Sequence, residues 1–518
     1  MITKTLVRKN SYYDSVTLMI ITNDIKKLDG VEEVLVGMGT EHNISLAKDL
    51  GLFTPELEGV TANDLIISMK VRDESVFEQA VKKVEELLSS KQEEEEGEEV
   101  KPQSLDSAMD ANPDANLVLI SVPGQFAKRE AKKALLADRH VHLFSDNVTM
   151  EEEIELKKLA HERGLLVMGP DCGTAIINGV ALAFANVVAK GPIGIVAASG
   201  TGAQETSTII AKNGSGITQL IGTGGRDLKE KVGGIMMIDG INALAEDPDT
   251  KVILLVSKPP AESVSKKVLE VAKETGKPVV VHFIGGDAKL VEEYGLVFSE
   301  SLEDAALKAV ALSKGEEPKP APEFSIPEEK VREIVEKETK HMKPEQKYIR
   351  GLYSGGTLCD EAMLFMTREF GGVYSNAPLS PEFQLEDSLK SKEHTVIDLG
   401  EDEFTVGRPH PMIDSTLRAE RIVAEAKDPE VAVILLDVVL GYGSNPDPAG
   451  SLLDAIQKAK EIAREDGRYL SVVASVCGTE DDPQPLSEQV RKLESKGVVV
   501  MPSNIQAVRM AIKIAKRG

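Results

Sequence analysis

Tryptophan is absent from the 518 residues, and aromatic residues make up 4% of them. That scarcity disfavours a surface built to stack sugars or bases. Cysteine occurs three times, at Cys172, Cys359 and Cys477. An odd, widely spaced set reads as reduced thiols of a cytoplasmic protein, not as a disulfide or zinc framework. Positive charge is also short: 60 Lys and Arg against 85 Asp and Glu leave a net charge of −25. Nucleic acid is therefore excluded as a partner. No segment approaches the roughly 20 apolar residues that span a bilayer, and the N-terminus has no signal-peptide core, so no membrane role is expected. Missing too are a Walker A loop and any cluster with metal-ligand spacing, so no metal ligands are assigned.

What is present is a long soluble chain with 42% hydrophobic and 28% charged residues, enough for three or four α/β units. Residues 1–90 alternate strands (4–13, 31–37, 64–71) with helices (14–28, 74–88) and predict a small α+β domain. Residues 91–103, KQEEEEGEEVKPQ, read as a solvated acidic linker. From 104 to 189 strand and helix alternate strictly, with strands at 117–122, 140–145 and 165–168, which predicts a Rossmann-like parallel sheet. Ligands bind at strand ends in such sheets, so the mouth is assigned to Pro123, Asn147, Gly169, Pro170 and Cys172. Nothing near Cys172 in sequence lowers its pKa, and a pocket-lining or buried thiol is the plainer reading. Residues 190–315 form a first ligase-type α/β domain, 316–345 a linker with a bridging helix, and 346–518 a second such domain. The last repeats the first: Met237-Ile238-Asp239 before EDPDTKVILLV answers Met412-Ile413-Asp414 before KDPEVAVILLD.

The two copies share one further feature. After an apolar strand, Ser199-Gly200-Thr201-Gly202 opens a helix in the first copy. Ser354-Gly355-Gly356-Thr357 does so in the second. A strand, a Gly/Ser/Thr turn and a helix leave free backbone N–H groups at the positive end of a helix dipole, suited to phosphate or carboxylate. A duplicated α/β unit commonly shares one composite site, so the loops are expected to converge on a small anionic substrate. Fixed N–H donors then stabilise charge developing on a transferring group. Ordinary N-capping accounts for any single hydroxyl of the set as well. Gly224 and Gly225, in Gly222-Thr-Gly-Gly-Arg-Asp227, are assigned to the substrate surface. Prolines on both sides of His410, with Arg408 close by, point to rigid presentation of an imidazole and a guanidinium, so both are taken as catalytic candidates. Glu205 and Glu361 fall in the first helical turns, where the dipole alone favours a carboxylate.

GPDCG (169–173), GIVAASGTGAQE (194–205) and GTGGRD (222–227) resemble the α subunit of succinyl-CoA synthetase and its NDP-forming relatives. The last unit resembles the CoA-ligase domain of the β subunit. Over its full length, including the acidic linker and RPHPMID, the chain looks like the FdrA family of acyl-CoA synthetase-like proteins. The fold implied is a Rossmann-like domain plus two flavodoxin-like, succinyl-CoA synthetase-like domains. Those synthetases phosphorylate a histidine in a Gly-His-Ala-Gly loop; this chain reads Gly285-Gly286-Asp287-Ala288-Lys289. The glycine-rich CoA-phosphate loop and the ATP-grasp domain also lack counterparts, which argues against CoA binding. The resemblance then implies an oxamate carbamoyltransferase large subunit, converting oxalurate and phosphate to oxamate and carbamoyl phosphate in ureide breakdown. Phosphate is the co-substrate, companion subunits are the partners, and the assembly is an oligomer. The phosphate cradle is carried onto 199–202 and 354–357, and Glu205 onto the position that contacts phosphohistidine. An NDP-forming acyl-CoA synthetase subunit with a separate ATP-grasp partner is the alternative; a non-catalytic scaffold is the second.

Overall fold

The computed structural model describes residues 1–11, 13, 15–95, 102–406 and 408–518. It divides into two compact units, Met1–Gln103 and Ser104–Gly518. In the first, strands Ile2–Arg8, Val31–Met38 and Leu65–Val71 form an antiparallel sheet with Leu65–Val71 in the middle. Helices Ser15–Lys26 and Glu74–Glu95 bury Leu18, Ile21, Ile25, Val76, Ala80 and Val84 against it. The first strand stops at Arg8, earlier than its apolar pattern suggests, because Asn10 turns to φ 53° and gives its N–H to the buried Asp64. The last helix continues through Glu95 on strong helix formers, so the start of the expected linker is helical. Residues 96–101 of that linker lie outside the described residues.

The second unit holds three sheets. Leu117–Ile120, His140–Leu143 and Val167–Met168 pair in parallel and in chain order. A five-stranded parallel sheet follows, built from Lys190–Ala198, Ile217–Gly222, Val252–Ser257, Val279–Phe283 and Val297–Phe298. The third uses Tyr348–Tyr353, Thr395–Asp398, Val431–Val439, Ser471–Cys477 and Val499–Met501. In both, the spatial order is second, first, third, fourth, fifth. The sequence repeat is thus a repeat of topology, of the flavodoxin-like kind. A hairpin, Thr174–Ile177 and Val180–Ala183, extends the first of these sheets through a Leu220–Ile176 pairing. These strands precede residue 190 yet belong to the second sheet, because Ala175 and Ile176 bury into its core. The boundary expected at 189/190 therefore does not separate two packed bodies. The extra residues of the second copy lie between helix Gly356–Phe370 and strand Thr395–Asp398.

The copies lock together by exchanging helix caps. Glu205, in the first copy, accepts the Asn504 N–H at 2.9 Å, at the start of the last helix of the second copy. Glu361, in the second, accepts the Leu302 N–H at 2.9 Å, at the start of the last helix of the first, and also bonds Asn504 Nδ2 at 2.8 Å. Both carboxylates are buried, each meeting donors that have no intrahelical acceptor.

Burial pushes the Glu361 carboxyl up to about 7. The native state therefore keeps a proton that the unfolded chain releases from about pH 4.5 upward. This group's contribution to stability falls as pH rises to about 7 and is flat beyond. Replacing it, Glu361→Gln, removes a component on the order of 2–3 kcal/mol from that slope in urea unfolding followed from pH 5 to 8. Identical slopes in both proteins contradict the buried cap.

Candidate functional site

The turns expected to converge do so. The apolar strand Lys190–Ala198 ends at Ser199, whose Oγ accepts the Gly202 N–H at 3.1 Å and lies 2.6 Å from Thr357 Oγ1. Glycine is required here by close approach. A β-carbon on Gly202 would sit 2.2 Å from Ser199 Oγ and 2.9 Å from Thr357 Cγ2, and one on Gly355 would sit 2.8 Å from Thr201 Cγ2. The first turns of helices Gly200–Lys212 and Gly356–Phe370 are pressed against each other.

Their N-termini are not equivalent. The Ser354 and Gly355 N–H groups donate to Asp437 at 2.9 and 2.8 Å, and Ser354 Oγ donates to it at 3.0 Å. Asp437 is buried and paired with the buried Arg418 at 2.7 Å. A protein carboxylate thus already satisfies the donors of Ser354 and Gly355, and Thr357 is committed to Ser199. At the other helix the half-buried Gly200 faces Thr174. A β-carbon on Gly200 would lie 3.7 Å from Thr174 Oγ1. That hydroxyl is buried and has no hydrogen-bond partner among the described residues. Here a helix N-terminus and an unspent hydroxyl meet.

Beside the Gly356 end stands Lys258, immediately after strand Val252–Ser257, whose last residue pairs with Ala198. Its Nζ lies 3.5 Å from Asp360 and 4.0 Å from Glu401, and 3.1 Å from where a β-carbon on Gly356 would be. Asp360 beside it, with Asp398 and Glu401, holds the ammonium firmly protonated against the cost of burial. Asp398 ends strand Thr395–Asp398, and its Oδ2 lies 2.5 Å from the same Gly356 position. Lys258, Asp398 and Asp360 were not singled out from sequence. Their signal was position: Lys258 follows one parallel strand and Asp398 ends another, at the end where such sheets bind ligands.

Of the catalytic candidates, His410 reaches this region. Its Nε2 lies 2.8 Å from the position of a β-carbon on Gly400, and its Nδ1 accepts the Met412 N–H at 3.2 Å. Burial pushes the imidazole down to about 4, so it is neutral at pH 7. Arg408 is exposed, with no ion pair among the described residues, and Gly407 beside it lies outside them. Glu205 faces Asn504 in the interior, so a solvent-facing catalytic role does not hold for it.

The strand-end residues of the first sheet gather, but largely as packing. Gly224 backs onto Pro170, its absent β-carbon 2.4 Å from the Pro170 carbonyl, while Pro123 and Asn147 are exposed and Gly225 has open space beside it. Cys172 is buried against Gly222, its thiol pushed up to about 12 by burial, so it is neither nucleophile nor substrate contact. At Gly124, where helix Gly124–Leu136 starts, the Asp146 and Asn147 carbonyls stand 2.2 and 2.5 Å from the β-carbon position. Acceptor oxygens fill that cradle, and the turn does not fit a phosphate of CoA.

Comparison with known families matches a CoA-ligase model to residues 352–514, a CoA binding domain to 189–285, and an AllF heavy metal-associated domain to 1–104. The matched CoA binding domain thus coincides with the first ligase-type copy. Residues 1–104 contain no cysteine, so no thiolate is present there to hold a soft metal. YahF of Escherichia coli (strain K12), described as uncharacterized, is 48% identical over 99% of both chains. SauD, a subunit of the ADP-forming sulfoacetate-CoA ligase of Bilophila wadsworthia, is 28% identical over 33% of this chain and 60% of its own. Subunit alpha 1 of the Archaeoglobus fulgidus ADP-forming succinate–CoA ligase is 27% identical over 39% of this chain and 70% of its own.

All three cysteines are buried, and burial raises each thiol. The native protein is expected to leave them unmodified by iodoacetamide at pH 8, and mass spectrometry should count three adducts only after denaturation. Rapid native labelling of Cys172 would restore it as a site residue.

Proposed function

The chain belongs to the FdrA family of acyl-CoA synthetase-like proteins, and from that premise we propose that it is an acid–CoA ligase-like subunit that moves an acyl group to or from phosphate. The carrying observation is the junction of the two copies. One open helix N-terminus at Gly200, the unpartnered Thr174 hydroxyl and the Lys258 ammonium border the same strand ends. A helix end carries about half a positive charge, and Lys258, shared with Asp360 and Glu401, adds an ammonium donor beside it. In a half-buried setting these fixed donors are already oriented when charge shifts onto the phosphate oxygens.

Transfer in this reading is direct. His282 is fully buried in strand Val279–Phe283, its Nδ1 donating to the Ser299 carbonyl at 3.1 Å, and burial pushes it down to about 4. Asp287, near the place of the synthetase histidine, caps the short helix Ala288–Glu293. No residue of that loop can carry a phosphoryl group as imidazole does. Nucleotide chemistry then belongs to a separate chain, as the subunit names of the relatives suggest. The missing histidine also favours a second reading, carbamoyl transfer from a ureide such as oxalurate to phosphate, which needs no phosphoenzyme.

Reconstitution with the companion subunits separates the readings. ADP formation that requires CoA supports the ligase role; carbamoyl phosphate formed from oxalurate and phosphate supports the second. In either, Lys258→Ala and Thr174→Val should lower phosphate-dependent turnover by about 100-fold and a smaller factor respectively. Unchanged turnover in both variants leaves only a scaffold role.

A further inference from the structure

A phosphate held at Gly200 and Lys258 still leaves one chemical need unmet. The group displaced from the acyl carbon must leave with a proton, and something beside the site must supply it. Four carboxyl groups surround Lys258: Asp360, Asp398, Glu401 and Asp171. They are placed differently. Asp360 Oδ2 is turned onto Lys258 itself. Glu401 is half-buried at 4.0 Å, and Asp171 is exposed on the loop after Pro170.

Asp398 is the one fixed in position with a free oxygen. Its backbone is held on both sides by Asn376, whose Oδ1 accepts the Asp398 N–H and whose Nδ2 donates to the Asp398 carbonyl, both at 2.9 Å. Its Oδ1 accepts the Gly400 N–H at 2.9 Å. Its Oδ2 is aimed at the first residue of helix Gly356–Phe370 and has no hydrogen bond among the described residues. The side chain at 356 is only a hydrogen atom, and that is what lets Oδ2 approach this closely.

Resting on the anion reading above, we propose that Asp398 is the proton-transfer group of this site, its Oδ2 giving a proton to the leaving atom as the acyl carbon passes to phosphate. A phosphate oxygen bonds to the carbonyl carbon of an amide, ureide or thioester, and the bond from that carbon to nitrogen or sulfur breaks. The leaving atom departs with the Asp398 proton. The phosphate's own proton, now on the acyl phosphate, returns to the Asp398 carboxylate, so charge and atoms balance and no further reactant is needed.

The surroundings of Asp398 suit both halves of that cycle. Lys258, from the strand end opposite, favours its ionised form. Glu401 from the following turn and Asp360 from the Gly356 helix oppose ionisation, and burial opposes it most. The neutral His410 ring lies across Gly400, and the Cys359 thiol, also facing this cluster, is held protonated by burial. The balance pushes the carboxyl up to about 7. A group titrating there is both available as an acid and able to recover its proton at neutral pH.

The test is the pH profile of phosphate-dependent acyl exchange by the full chain with its companion subunits, for the unaltered protein and Asp398→Asn, alongside inorganic phosphate binding by calorimetry. The expected result is a limb near pH 7 in the unaltered protein. In the variant that limb vanishes with a loss of about 100-fold in rate, while phosphate binds as well or better. Exchange that keeps its rate and its limb in Asp398→Asn, with phosphate binding intact, overturns the proposal and spares the anion site. Failure of the unaltered protein to bind phosphate removes the anion site and this proposal with it. Should the variant not fold, carbon NMR of aspartate-labelled unaltered protein decides. A carboxyl titrating near 7 that responds to added phosphate supports the assignment, and the lack of one overturns it.

Discussion

Everything in the larger unit follows from two helix ends being brought closer than side chains normally allow. Gly202 and Gly355 leave no room for a β-carbon, and that lets Ser199 reach Thr357 across the copies. Once the first turns touch, Glu205 and Glu361 point past each other into the opposite copy and cap its last helix. The same closeness breaks the symmetry. Two positive helix ends side by side repel, and the turn leading into one of them gives its Ser354 and Gly355 N–H groups to the buried Asp437. The other receives the anion in the proposed reading.

Charge constrains what the Gly200 end could hold. The chain carries a net −25, and Lys258 sits among four carboxyl groups. Such surroundings repel anions in general, so in the proposed reading an anion is held where the Gly200 helix end, a hydroxyl and one ammonium act together. The carboxyls are not inert bystanders. Burial keeps Asp398 near the threshold of ionisation, while Asp360 keeps Lys258 charged. In the proposed reading, binding and proton transfer are divided between the two copies, the first supplying Lys258 and the Gly200 helix end and the second the acid.

Much of this was legible from sequence. The strand–turn–helix signal at residues 199–202 and 354–357 is local, and the duplicated MID element announced the repeated topology. The rest depends on partners far away in the chain. Asp437 lies 83 residues from Ser354, and Ser199 lies 158 from Thr357, so neither bond leaves a trace in local pattern. Alternating apolar residues at 174–177 announce a strand but not which sheet takes it. The Glu205 position reads the same in sequence whether its carboxylate faces a ligand or the start of another helix. Cys172 was placed correctly at a strand end, yet Gly222 packs against it and closes off the thiol. Lys258 and Asp398 lacked any motif, and only their positions at strand ends marked them.

The central claim is that one helix end, and not both, receives a tetrahedral anion. Anomalous diffraction from crystals soaked in selenate, a dianion of phosphate-like shape, tests it most directly. The account predicts a single strong peak at the junction, within hydrogen-bonding distance of the Gly200 backbone N–H, Thr174 Oγ1 and Lys258 Nζ. A peak at Ser354 and Gly355 with Asp437 displaced, or none at the junction, contradicts it.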